Sequence, residues 1–156
     1  MALTGKGPEM SGSPHQIVLI EDAESDVFLI REAMEHAALA FDLHVLGDGE
    51  EALELITKID SNETMPPPRL IILDLNLPKV SGGQVLAHVR QSSRCCAVPV
   101  LVLTSSDSSK DKAEISQFAA THYFRKSSSL GEFMSLGLFV RNLLESGDSC
   151  SRASAR

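Results

Sequence analysis

Residues 69–78 read RLIILDLNLP. Leu70, Ile71, Ile72 and Leu73 form an unbroken apolar run, the pattern of a strand buried on both faces. Asp74 follows, between two leucines. An ionised carboxylate in such a setting is costly unless it is paired or bound to a metal. The acid at this strand end needs a partner, which the rest of the chain should supply.

The neighbouring segments alternate between strand and helix patterns. QIVLI (16–20) reads as a first strand and VPVLVLT (98–104) as a fourth, both nearly continuous in apolar residues. FDLHVL (41–46) alternates apolar and polar residues, as an edge strand does, and HYFR (122–125) is a short fifth strand. Between them lie helix patterns. The first covers about 25–38, with Val27, Ile30, Ala33, Met34 and Ala37 at helical spacing and Ser25 as its N-cap. The second, 48–59, has acids in its first turn and is followed by a loop ending in three prolines. Pro78 and Gly82–Gly83 mark a turn before a helix over about 84–91, and a further helix is expected over about 109–119. A last helix should open with a Ser129/Glu132 capping box and end near Glu145.

Five strands alternating with five helices imply a parallel sheet covered on both faces. With strands one, three and four the most apolar, they should be central, which gives a doubly wound α/β sandwich, (βα)5, of strand order 2-1-3-4-5. The chain has 156 residues, enough for one domain with a real core. That domain is expected over 15–146, flanked by disordered tails at 1–14 and 147–156.

The net charge of −7 argues against a nucleic-acid binder, which would carry a basic face. No apolar run reaches the roughly 20 residues of a membrane span, and the first residues lack the apolar core of a signal peptide. The three cysteines, two of them adjacent, make a poor disulfide framework and read as free thiols of a reducing, cytoplasmic compartment.

In a doubly wound sheet, ligands sit beyond the carboxyl ends of the strands. Glu21 and Asp22 follow strand one, Asp74 ends strand three, Thr104, Ser105 and Ser106 end or follow strand four, and Lys126 follows strand five. Three clustered carboxylates repel one another unless a proton or a cation intervenes. Carboxylate oxygens suit a hard ion, Mg²⁺ above all. Mg²⁺, a lysine and a hydroxyl together suit a phosphoryl group, and a carboxylate among them can become an acyl phosphate. Each residue alone has a plainer reading: a helix-terminal charge, a turn cap, a strand threonine, a solvated lysine. Their conjunction at the inner strand ends favours the site.

These residues carry a resemblance. VLIEDAESDVFLI, GDGEEAL, LIILDLNLPKVSGGQVL, VPVLVLTSS and YFRK resemble the response-regulator receiver domain of two-component signalling, over about 15–146. The fold implied is flavodoxin-like. The Asn-Leu-Pro after Asp74 and the proline-rich loop before it are most like the single-domain regulators associated with bacterial phytochromes. The resemblance implies that Asp74 accepts a phosphoryl group from the phosphohistidine of a sensor histidine kinase, with a bacteriophytochrome as candidate. It implies that Asp22 and Asp74 bind Mg²⁺ directly, Asn76 through its backbone carbonyl and Glu21 through a water. Lys126 would contact the phosphoryl group, Thr104 and Tyr123 would be the switch residues, and Asn76 and Ser106 would tune dephosphorylation. It implies a signalling switch rather than a turnover enzyme.

The family usually has a proline after the lysine, in a cis peptide. Here Ser127 follows, so the bond is either cis at a cost of about 3–4 kcal/mol or trans with Lys126 aimed differently. That departure sustains an alternative, a degenerate receiver acting as a phosphorylation-independent adaptor. A phosphatase of the haloacid-dehalogenase type would want a second acid at position 76, and a flavin module a hydroxyl- and glycine-rich loop after strand one; neither is present. No output domain is expected after Glu145, so the signal should leave through a partner or self-association. The last helix, apolar around most of its circumference, points to a homodimer formed with the fourth helix and fifth strand.

Overall fold

The computed structural model describes residues 13–105, 113 and 121–154. The expectations for residues 1–12, for a helix over 109–119 and for Ser106 lie outside them. Five parallel strands form one sheet: β1 (His15–Ile20), β2 (Phe41–Leu46), β3 (Leu70–Asp74), β4 (Val100–Thr104) and β5 (Thr121–Arg125), in the order β2-β1-β3-β4-β5. This is the flavodoxin-like order expected from the apolar runs. All five residues of β3 and of β4 are buried, whereas β2 at the edge alternates in exposure.

Four helices cover the sheet among the described residues: α1 (Glu24–His36), α2 (Gly49–Ser61), α3 (Gly82–Gln91) and α4 (Leu130–Ser154). Side chains alternate across a strand, so each central strand feeds two cores. Val18, Ile20, Ile71, Leu73, Val100 and Val102 meet Ala52, Ile56, Val85, Leu86 and Val89 of α2 and α3. Ile17, Leu19, Leu70, Ile72, Leu101 and Leu103 meet Ile30, Ala33 and Met34 of α1 and Phe133, Leu136 and Val140 of α4. Burying one such side chain contributes roughly 1.5–3 kcal/mol.

The helix starts differ from expectation at three places. α1 begins at Glu24, with Ala23 rather than Ser25 at the N-cap and no side-chain cap on that residue. Glu21 bends back to accept the Ala23 N–H at 3.1 Å, and Glu24 and Asp26 supply first-turn acids, so Ser25 is left exposed within the helix. α3 takes Gly82 and Gly83 into its first turn instead of leaving them in a loop. Ser81 and Gln84 form a reciprocal capping box, each side chain satisfying the other's backbone N–H. Gly82 is required by proximity: a Cβ there would lie 2.7 Å from Leu75 Cα and 2.8 Å from the Asp74 carbonyl oxygen. At α4 half of the expected Ser129/Glu132 box forms, Glu132 N–H donating to Ser129 Oγ at 3.5 Å, and the other half runs through a relay. Ser129 N–H donates to Ser127 Oγ at 3.0 Å, and the Ser127 hydroxyl donates to the Glu132 carboxylate.

α4 also runs on to Ser154, past the expected end at Glu145. Gly147 is the residue there with the lowest helix propensity, and no proline follows to stop the helix. On its inner side, Gly137 lets α4 press on α1, since a Cβ there would lie 2.0 Å from the Ala33 carbonyl oxygen. Arg141 donates to the Ala37 carbonyl at 3.2 Å and so caps the end of α1. Away from α1, Leu130 and Leu138 are exposed at 63% and 56%. Cys95 (buried) and Cys96 (exposed) are free thiols, as expected, and the side chain of Cys150 lies outside the described ones.

A second clamp holds the proline-rich loop before β3. Arg94 donates from one terminal nitrogen to the carbonyls of Ile59, Asn62 and Met65. Ser92 donates to Asp60 at 2.6 Å, and its oxygen accepts from Cys95 N–H at 2.9 Å. The end of α2 is thereby tied to the turn after α3. No helix among the described residues is long and apolar enough to cross a membrane.

Candidate functional site

The carboxyl ends of β1, β3, β4 and β5 meet at one edge of the sheet. Glu21 follows β1, its N–H fixed to the Leu46 carbonyl of β2 at 3.0 Å. Asp74 is the last residue of β3, and Leu75 N–H continues the ladder to the Leu103 carbonyl at 3.1 Å. Thr104 ends β4, fully buried, and its carbonyl accepts Lys126 N–H at 2.8 Å. The sheet thus sets each functional residue by backbone hydrogen bonds before any side chain is considered.

Glu21, Asp22 and Asp74 can each present a carboxylate oxygen within 4.8 Å of the others. Glu21 and Asp74 are buried, at 2% and 5% exposure, while Asp22 faces solvent. One Asp74 oxygen accepts the Asn76 N–H at 3.0 Å and the other accepts from Lys126 Nζ at 3.2 Å. The Lys126 ammonium also reaches Glu21 Oε1 at 2.8 Å and Asp26 Oδ2 at 2.7 Å. It arrives with a trans Lys126–Ser127 bond, there being no cis peptide among the described residues. Of the two courses left open by Ser127, the chain takes the trans one and the lysine still enters the pocket.

The charges do not balance, and the titration behaviour follows. Burial pushes the Glu21 carboxyl up to about 7; Lys126 pulls against this, while Asp74 adds to it. Burial works to lower the Lys126 pKa, but its bonds to Asp26 and Glu21 and the charge of Asp74 raise it well above the ordinary lysine value. Both partners of the Glu21–Lys126 pair therefore shift upward. The lysine divides one charge among three carboxylates and leaves Glu21 undercompensated. A divalent cation held by carboxylate oxygens would supply the missing charge, and an all-oxygen donor set of this kind suits a hard ion.

Of the other residues singled out in the sequence, Tyr123 lies in β5 beside Val102 and packs against the α2/α3 core. Asn76 is exposed on the loop after β3. Asp26 was missed by sequence reasoning. It stands one turn before Ile30 on α1, at the flank of the apolar face, so a first-turn acid beside the buried stripe was the available signal.

Residues 17–136 match the family described as the response regulator receiver domain. The chain belongs to that family. Among curated proteins, this receiver domain is 33% identical over 126 residues to response regulator Rcp1 of Synechocystis, covering 81% of this chain and 86% of Rcp1. Among solved structures it is similar to the Mn²⁺-bound form of Rcp1, with a TM-score of 0.71 over 80% of this chain and 89% of that one. It is also similar to a phosphorylated cyanobacterial phytochrome response regulator, RcpA, at 28% identity and a TM-score of 0.76, covering 86% and 96% of the two chains. These neighbours bear out the likeness to phytochrome-associated regulators. The Mn²⁺-bound relative and the carboxylate cluster of Glu21, Asp22 and Asp74 are together consistent with divalent-metal binding at this end of the sheet.

Proposed function

We propose that this receiver domain is a phosphoaccepting switch in a two-component phosphorelay. One oxygen of the Asp74 carboxylate attacks the phosphorus of a kinase phosphohistidine. The P–N bond breaks, the imidazole nitrogen keeps the electron pair, and Asp74 becomes an acyl phosphate. Water later returns the aspartate and inorganic phosphate. The observation that carries this reading is the placement of Asp74. It is a nearly buried carboxylate at the end of a central strand, held by the Asn76 N–H at 3.0 Å and within 3.2 Å of Lys126 Nζ.

Asp22 and Asp74 would hold Mg²⁺ directly, with the Asn76 backbone carbonyl, and Glu21 through a water. The ion supplies positive charge to the phosphoryl oxygens. Lys126, held protonated by its neighbours, offers its remaining positive charge to the same oxygens. Thr104 and Tyr123 are the switch pair, and Asn76 and Ser106 tune the lifetime of the phosphoryl group. The adaptor reading depended on Ser127 turning Lys126 away, and the 3.2 Å contact favours phosphoacceptance instead.

Neighbours described as phytochrome and bacteriophytochrome response regulators support a phytochrome-type sensor kinase as the donor, and the free thiols of Cys95 and Cys96 support a reducing, cytoplasmic setting. Leu130 and Leu138, exposed on α4, support a homodimer through α4 and β5 with the segment over 109–119. Monomeric sedimentation at micromolar protein, with and without beryllofluoride, would remove the dimer from this proposal.

The direct test is chemical. Incubation with Mg²⁺ and acetyl phosphate should add one phosphoryl mass, stable to acid and labile to alkali, and Asp74→Asn should abolish it. Absence of the adduct on the wild-type chain would favour the adaptor.

A further inference from the structure

Lys126 Nζ is surrounded by three carboxylates, and they are not equivalent. Glu21 and Asp74 belong to the acidic cluster of Glu21, Asp22 and Asp74 suited to a cation. Asp26 does not. It comes from the first turn of α1, and at 2.7 Å it is the shortest of the three contacts. Its side chain is 26% exposed, against 1% for Glu21 and 7% for Asp74. Among the described residues, Asp26 is thus the one of the lysine's three carboxylate partners that stands outside the cation cluster.

We propose that Asp26 is a positioning residue that anchors the Lys126 ammonium beside Asp74, acting through the lysine. The inference rests on the phosphoacceptor reading for its kinetic consequence, but the anchoring itself can be read separately.

The physical argument concerns a long side chain with four rotatable bonds leaving a loop. A lysine head can be held at a point only where its donors meet fixed acceptors. Lys126 spends its three N–H donors on three acceptors from different elements: the β1–α1 loop, α1 and β3. An anion arriving at Asp74 needs one of those donors, and a cation draws on the oxygens of Glu21 and Asp74. The Asp26 contact keeps one donor, but its oxygens lie outside the cation cluster, so it can persist while the other two donors turn to the anion. It also does not hold the lysine away from the acceptor, because the contacts at 2.7 Å and 3.2 Å coexist.

The test uses the full chain, with Asp26→Asn and Asp26→Ser as losses and Asp26→Glu as the charge-conserving variant. Two quantities are measured. One is the reactivity of the Lys126 amine toward acetic anhydride, read by peptide mass spectrometry against exposed Lys58 as internal control. The other is the rate of phosphoryl-adduct formation with acetyl phosphate and Mg²⁺. The loss variants should raise Lys126 labelling and slow adduct formation by about three- to fivefold, the scale of one partly exposed ion pair. Asp26→Glu should restore both, which a merely structural role for the residue would not predict. Unchanged Lys126 labelling in both loss variants overturns the assignment, as does an unchanged adduct rate alongside a normal wild-type adduct. A wild type that forms no adduct defeats the phosphoacceptor reading instead, and the labelling arm then decides for or against the anchor.

Discussion

Gly137 sits inside α4, where a glycine ordinarily weakens a helix. On propensity alone, Gly137→Ala should stabilise the protein by about 1 kcal/mol. The packing predicts the opposite sign. An added Cβ would lie 2.0 Å from the Ala33 carbonyl oxygen, 2.7 Å from its carbon and 3.1 Å from Ala37 Cβ. Ordinary contact begins at 3.4 Å, so the tightest approach is 1.4 Å too short, and the obstacle is helix backbone rather than a side chain that could swing aside. α4 must withdraw from α1, which loosens the buried Phe133, Leu136 and Val140. Forced overpacking costs about 1–3 kcal/mol, and a backbone clash this close belongs at the upper end. Less the propensity gain, the net loss is about 2 kcal/mol, or about 4–8 °C in Tm for a chain of this size. Urea unfolding followed by circular dichroism measures it, with Gly131→Ala as control. There the added atom meets only Ser129 Oγ, at 4.0 Å, and no loss is expected. A Gly137→Ala protein as stable as wild type, or more so, would refute the close-approach argument.

The remaining predictions concern the two clusters at opposite ends of the fold. Glu21 has a raised pKa near 7, so its proton must leave before the carboxylate can serve a cation. Mg²⁺ affinity should therefore rise with pH through about 7 and fall below it, and Glu21→Gln should flatten that dependence in titration calorimetry. Arg94→Met should cost about 1.5–3 kcal/mol in urea unfolding, because the carbonyls of Ile59, Asn62 and Met65 lose a charged donor together. Arg94→Lys should recover only part of that loss, since the lysine side chain is shorter than arginine and its nitrogen stops short of the point where the three carbonyls converge.

The sheet was legible because its central strands are buried on both faces and leave continuous apolar runs. The three acids, Thr104 and Lys126 were legible for a related reason: a parallel sheet brings all its carboxyl ends to one edge, so position along the sequence translates into position in the site. What escaped depended on a second element. Asp26 becomes relevant only when the lysine after β5 is known to cross to α1. Gly137 looks like a weak point in a helix until Ala33 is placed against it. The helix starts were misjudged because several groups competed for the same role. Glu21 accepts the Ala23 N–H where the chain enters α1, which leaves Ser25 inside the first turn, and Ser127 takes one arm of the expected Ser129 box while Ser129 keeps the other. Ser127 departs from the family's proline, yet the three carboxylates facing the ammonium keep Lys126 in the pocket.

The contact of Gly82 with Leu75 and the Asp74 carbonyl closes the base of the loop over 75–81, so that its two ends touch. A loop pinned in this way separates two kinds of tolerance. At the base no added atom is admitted. At the tip, Pro78 and Lys79 are exposed, and Lys79 reaches Asp48 and Glu50 across the surface at 3.4 Å and 3.5 Å, contacts that salt screens. The loop that carries Asn76 is consequently fixed at its base whatever the ionic strength and loosened at its tip as salt rises, so the two ends of one short segment answer to different conditions.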